Sequence, residues 1–171
     1  MHTIKIDISE TVKNHFNQLA TITSQQLNKH SISQSLLKIK KLSDNCQDES
    51  LLTHLIDLKS MIDMVNEPHW QISSDKAQRI NAALAYFLNE DDIIPDNTPG
   101  LGYLDDCIVI SNTKEYLINE LHDFNDFQGT RRIYGKNKCQ NREDWQKIKH
   151  QESVSRLRHR RTKSAMKNRR G

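Results

Sequence analysis

Leu51, Leu55, Leu58, Ile62 and Val65 return at steps of three and four residues, with Leu52 and Ile56 beside them. A helix makes a turn every 3.6 residues, so such positions share one side of it. The stripe predicts a helix over 49–66, wide enough to face more than one neighbour. Glu67-Pro68 ends it, because the residue before a proline avoids helical backbone. The same period recurs along the chain. With five glycines and three prolines in 171 residues, there is little material for the many tight turns of a sandwich or barrel. An all-α fold is expected, an irregular bundle of about five helices.

Val12, Phe16 and Leu19 predict a first helix over 10–28, and Leu36, Leu37, Ile39 and Leu42 a second over 33–43. Before them TIKIDI, residues 3–8, alternates as a short strand would. Ser73, Ser74 or Asp75 suits the cap of a fourth helix, with Ala77, Ile80, Leu84, Phe87 and Leu88 facing inward. Ala82, Ala83 and Ala85 leave room there for close helix contact. A fifth helix is expected from Leu104 to Phe127, with Cys107, Ile110, Leu117, Ile118 and Leu121 on one side and a weak point at Ser111-Asn112-Thr113.

Between those last two helices lies DDIIPDNTPGLGYLDD, residues 91–106. It holds two of the three prolines and five aspartates. Ile94-Pro95-Asp96-Asn97 suits a turn with proline second, and Thr98-Pro99-Gly100-Leu101 a type II turn. Asp105 and Asp106 then fall in the first turn of the next helix, where carboxylates meet unpaired N–H groups. The other use for such a cluster is divalent-metal binding by Asp92, Asp96, Asp105 and Asp106. The calcium-loop template is not met: counting from Asp92 puts Ile94 at position 3, and counting from Asp96 puts Cys107 at position 12.

The parts Tyr86-Phe87, Asp92, Ile94-Pro95-Asp96, Pro99, Gly102 and Leu104-Asp105-Asp106, at this spacing, resemble the signature of the YkvA-like family, a bacterial domain of unknown function. The resemblance implies a helical hairpin over about 72–125. Its structural residues here would be Tyr86, Phe87, Pro95, Asp96, Pro99, Gly102, Asp105 and Asp106. Glu90 departs from the family's usual proline, and Asn97 and Thr98 from its usual apolar residues. The family carries no reaction to transfer. Some members are described as membrane-associated, which implies a peripheral membrane or protein-interaction module as one function.

Charge separates the ends of the chain. Residues 1–130 hold ten Lys/Arg and nineteen Asp/Glu, a balance of −9, whereas 131–171 hold fifteen and three, a balance of +12. We therefore expect a helical domain over 1–130 and a basic tail over 131–171. Asn141 suits the cap of a last helix over 142–168. Trp145 would anchor its first turn, while Val154 and Leu157 point away from that side. Arg156, Arg158, Arg160, Arg161, Lys163, Lys167, Arg169 and Arg170 would neutralise phosphates of RNA or DNA, with Trp145 and Tyr134 available for stacking on bases. An anionic membrane surface or an acidic protein is the other partner such a tail suits. SISQSLLKIKK after an early strand resembles a ribbon-helix-helix opening, but TITSQQLNKH is too long a link for that fold.

No catalytic residues and no cofactor are expected. Gly100-Leu101-Gly102 lacks the rest of a dinucleotide fingerprint, and the eight histidines form no H-x-x-x-H. His69-Trp70 would pack at a helix junction. Cys46, Cys107 and Cys139 are odd in number and far apart, against a disulfide framework. Cys139 is expected on the surface or tail rather than at zinc with His150. MHTIKIDISE has no basic segment followed by an apolar one, and no apolar run is long enough to span a bilayer. A non-enzymatic, cytoplasmic binding protein is the expectation.

Overall fold

The computed structural model describes residues 29–89, 94, 96, 98 and 102–168, together with Asn14 and Gln18 as helical positions. The expected strand at 3–8 and the rest of the helix at 10–28 lie outside the described residues. So do Glu90, Asp92, Pro95, Asn97, Pro99, Gly100, Arg169 and Arg170. The fold is all-α, with five helices among the described residues: α1 Lys29–Asn45, α2 Glu49–Asn66, α3 Ser74–Leu88, α4 Leu104–Tyr134 and α5 Arg142–Asn168. The chain divides into two compact units. Met1–Glu67 with Ile72–Leu121 makes the first, and Pro68–Gln71 with His122–Gly171 the second.

In the first unit α1 packs on α2 and α3, and α2 packs on α3. Asp48 starts α2: its extended backbone lets Oδ1 accept the N–H of Ser50 at 2.8 Å and of Leu51 at 3.4 Å. Leu51, Leu55, Leu58, Met61, Ile62 and Met64 are buried. The apolar arc therefore widens toward the two methionines, not toward Ile56, which is 69% exposed. Ile118 of α4 is likewise exposed beside buried Leu117, and Leu37 of α1 is exposed two positions from buried Ile39. Adjacent helical positions differ by 100°, so an apolar pair cannot both face a single partner.

α3 begins after extended Ser73 and buries Ile80, Ala82, Ala83, Leu84, Tyr86 and Phe87. Ala82, Ala83 and Tyr86 meet Val109 and Ile108 of α4, the close contact that small side chains permit. Across the same pair of helices Lys76 bridges Glu120 at 2.8 Å, and the Arg79 guanidinium lies 4.5 Å from the Tyr116 ring.

α4 is longer than expected. It runs past Phe127 and through Gly129 to Tyr134. A glycine inside a helix costs only about 1 kcal/mol relative to alanine, and buried Phe124 and Phe127 on the preceding turns offset it. The stop is Gly135, whose φ of +83° is easy only for glycine. Its N–H caps the Arg131 carbonyl, and its own carbonyl takes the N–H groups of Lys138 and Cys139. This turn folds Cys139 inward; it is fully buried, which corrects the surface placement expected for it. The Ser111-Asn112-Thr113 stretch does not break the helix. Thr113 Oγ1 donates back to the Val109 carbonyl at 2.8 Å.

The second unit is built on aromatic rings. Trp70 is fully buried, with ring centroids 5.5 Å from Phe124, 5.2 Å from Phe127 and 5.5 Å from Trp145. The Arg142 guanidinium covers Trp70 at 4.4 Å, and the Arg142 N–H donates to the His69 carbonyl. The Pro68–Gln71 segment is thus held as a junction, as its sequence suggested.

Candidate functional site

The acidic connection is tied from inside. Asp105 is fully buried. Its Oδ2 accepts the Tyr86 hydroxyl at 2.8 Å and the Ile94 N–H at 3.1 Å, and its Oδ1 accepts the Asp106 N–H at 3.1 Å. Asp105 therefore fastens the end of α3 and the connection to the start of α4, which is more than the helix-dipole role foreseen for it. Asp106 is also buried.

Asp96 pairs with Lys38 of α1 at 2.8 Å. The same ammonium donates to the Phe87 carbonyl at 2.6 Å, near the C-terminus of α3, and lies 4.7 Å above the Phe87 ring and 5.7 Å from Tyr103. Gly102 has a steric reason to be glycine. A Cβ there would stand 2.2 Å from the Asp96 carbonyl oxygen, because the two backbones cross. The Gly102 N–H also donates to the Thr98 carbonyl at 2.9 Å.

Of the candidate metal ligands, Asp92 lies outside the described residues. Asp105 and Asp96 have the partners just given. Among the described residues, no three His, Cys, Asp or Glu side chains are grouped to hold a metal ion. The Cys107 thiol is pushed up to about 12, first by burial and then by Asp106, Asp48 and Asp105 nearby. It stays protonated and a poor nucleophile at neutral pH. Burial is also the main cause that lowers His54 and raises Cys139.

The basic helix starts as its sequence suggests. Asn141 Oδ1 accepts the Asp144 N–H at 3.0 Å, and Asp144 Oδ2 accepts the Gln140 N–H at 3.1 Å. Trp145 is only 8% exposed, and its indole N–H donates to Asp126 at 2.6 Å. It anchors the first turn and is not available to stack on a base, which corrects that part of the expectation. Asp126 also holds Lys149 at 3.1 Å. Burial pushes the Asp126 carboxyl upward, but the bonds from Trp145 and Lys149 outweigh it and hold the group below its ordinary range.

Glu152 ends this paired zone. It takes the Tyr134 hydroxyl at 2.9 Å, Lys149 at 3.3 Å and Arg156 at 3.6 Å. The bonds from Tyr134 and Lys149 lower its carboxyl, and the bond to Glu152 raises the Tyr134 phenol. After Glu152 the helix contains no acid. Arg156, Arg158 and Arg160 are exposed, as is Leu157. Arg161, Lys163 and Lys167 follow on its continuing backbone. Tyr134, 40% exposed, borders an open groove of about 700 Å³ that Lys138, Lys147, Gln151 and Arg156 also line.

No described helix is long and apolar enough to cross a membrane. Residues 79–111 match the model of a family described as protein of unknown function (DUF1232), which assigns this stretch of the chain to that family. The match runs from the middle of α3 to the early turns of α4. It takes in Tyr86, Phe87, Asp96, Gly102, Asp105 and Asp106, the residues that lock the connection. Neither the curated proteins nor the solved structures gave a match.

Proposed function

We propose that this DUF1232-containing chain is a non-enzymatic binding protein whose basic helix contacts the phosphates of RNA or DNA. One observation carries the proposal: the acids of α5 stop at Glu152, while Arg156, Arg158, Arg160, Arg161, Lys163 and Lys167 continue along it. A helix with that charge releases counterions from a polyphosphate when it binds. The acidic connection supports the same division of labour, since Asp96 and Asp105 already satisfy partners within the first unit.

The variant that tests it keeps the whole chain. Cutting at residue 130 would remove Trp145 and Cys139 from the second unit's core. Instead Arg156, Arg158, Arg160, Arg161, Lys163, Lys167, Arg169 and Arg170 are changed together to Gln. In a gel-shift titration the natural chain is expected to retard labelled RNA or DNA and the variant to leave it free. Equal retardation by both would refute the tail as the contact. Exposed Leu157 among arginines supports the second reading, a helix lying on an anionic membrane. Flotation with phosphatidylserine vesicles, without nucleic-acid retardation, would favour that reading instead.

A further inference from the structure

We infer that the groove beside Tyr134 seats one unpaired nucleotide of a single strand, its base on the Tyr134 ring and its phosphates on Lys138, Lys147 and Arg156. The inference rests on the nucleic-acid reading above and narrows it from nucleic acid in general to single strands. The groove's volume, about 700 Å³, falls in the range of about 300–1,000 Å³ usual for sites that hold one small organic ligand.

Its chemistry is mixed in the way a nucleotide needs. Tyr134 supplies an aromatic side chain that is 40% exposed, tethered through its hydroxyl to Glu152 at 2.9 Å. Ile148 gives an apolar patch. Gln151 and Ser155 offer donors and acceptors to a base edge. Lys147 pairs with Asp144 at 3.9 Å and Arg156 with Glu152 at 3.6 Å, but the two cations are 70% and 75% exposed, and such loose surface pairs leave their charges open to phosphate.

Two carboxylates, Asp144 and Glu152, also line the groove. Each is already engaged: Asp144 with the Gln140 N–H, Glu152 with Tyr134, Lys149 and Arg156. They disfavour a continuous run of phosphates inside the groove, as a duplex backbone would bring, while leaving room for one base and its flanking phosphates. A base in a duplex presents no face to a tyrosine; an unpaired one does. Trp145, the other aromatic that the basic segment offers, is buried, so Tyr134 carries the stacking. Arg156 joins the groove to the rest of the basic helix. Positions 156, 160, 163 and 167 follow at i, i+4, i+7 and i+11 and share one face. A strand with one nucleotide in the groove would run its next phosphates along that face.

The experiment compares the full chain with Tyr134→Leu and Tyr134→Phe, using a labelled ten-nucleotide single-stranded RNA and a blunt duplex of similar length. Stacking predicts that Tyr134→Leu weakens single-strand binding by about 5- to 100-fold and leaves duplex binding unchanged. Tyr134→Phe, which keeps the ring and loses only the bond to Glu152, should stay within about threefold of the natural chain on the same argument. Equal losses on strand and duplex, or equal losses for Leu and Phe, would overturn the inference. So would unchanged single-strand binding by Tyr134→Leu while the eight-glutamine variant loses it; the tail would then stand and the groove would fall. If the natural chain binds neither nucleic acid, the underlying reading fails with it. Competition by a free nucleoside monophosphate as strong as by the strand would make the ligand a small molecule and reject the strand. Ultraviolet crosslinking of the unmodified chain to the RNA gives an answer that needs no variant. Crosslinked peptides should contain Tyr134 or Gln151, and crosslinks confined to other segments would contradict the seat.

Discussion

Lys38 and Arg156 are both cations on helices, one in each unit, and they are used in opposite ways. Lys38 has a side chain 19% exposed, and its ammonium is shared between Asp96, the Phe87 carbonyl and an aromatic face. Arg156 is 75% exposed and pairs at 3.6 Å with Glu152 of its own helix. Asp96 and Asp105 of the first unit follow Lys38, since both are tied to named groups within the fold. Arg158 and Arg160, exposed further along the same helix, follow Arg156. Burial, not residue type, decides which charges hold the fold and which can meet a partner. An exposed ion pair adds little stability, whereas a buried carboxylate with several donors is costly to remove.

Substitutions can break that contrast, and their effects should fall in order. Trp70→Ala takes the central ring from the second unit and should lower stability by about 3–5 kcal/mol, with the loss seen in denaturant unfolding. Gly102→Ala comes next at about 3 kcal/mol, since an added methyl group would overlap backbone rather than a movable side chain. A tolerated alanine there would mean that Asp96 and Gly102 do not cross so closely.

Asp105→Ala leaves the Tyr86 hydroxyl and the Ile94 N–H without their acceptor and should cost about 2 kcal/mol. Tyr86→Phe should recover part of that loss when added to it, and strict additivity would argue against their bond. Acid should act on the second unit through Asp126. Its folded-state carboxyl is held below the ordinary range, so its contribution is complete above the unfolded value near about pH 4 and is lost as pH falls through the lower folded value. Trp145 fluorescence during acid titration reports this, and Asp126→Asn should flatten the response. Smallest of all, Arg160→Gln should change stability by less than about 0.5 kcal/mol while weakening nucleic-acid binding.

Much of the fold could be read from residue order. α2 and α5 occupy 49–66 and 142–168 as expected, because their signals are local: an apolar stripe closed by Pro68 for α2, and the Asn141 cap for α5. The alanine contact between α3 and α4 was legible for the same reason. The end of α4 was not. Gly129 and Gly135 are alike as letters, and only Gly135 adopts positive φ. Ile56 and Ile118 lie beside buried neighbours, and periodicity alone does not say which side of a stripe meets a second helix. At the candidate site the parts were named but not their pairing. Tyr86 and Asp105 both belonged to the motif, yet their bond spans nineteen residues. Lys38 stands 49 residues from Phe87, with no local signal to mark it. On α5 the charge run was plain. The burial of Trp145 and the groove at Tyr134 depended on the aromatic packing around Trp70.

The most direct test of the outward-facing charges is the salt dependence of nucleic-acid affinity, measured by fluorescence anisotropy on the full chain and on the eight-glutamine variant. With six to eight phosphate contacts, log K against log salt should fall with a slope of about −4 to −7 for the natural chain, and the variant should bind weakly with a slope no steeper than about −2, that of Lys138 and Lys147 alone. A natural chain that binds without salt dependence, or a variant that keeps the steep slope, would contradict the assignment of the basic helix as the contact.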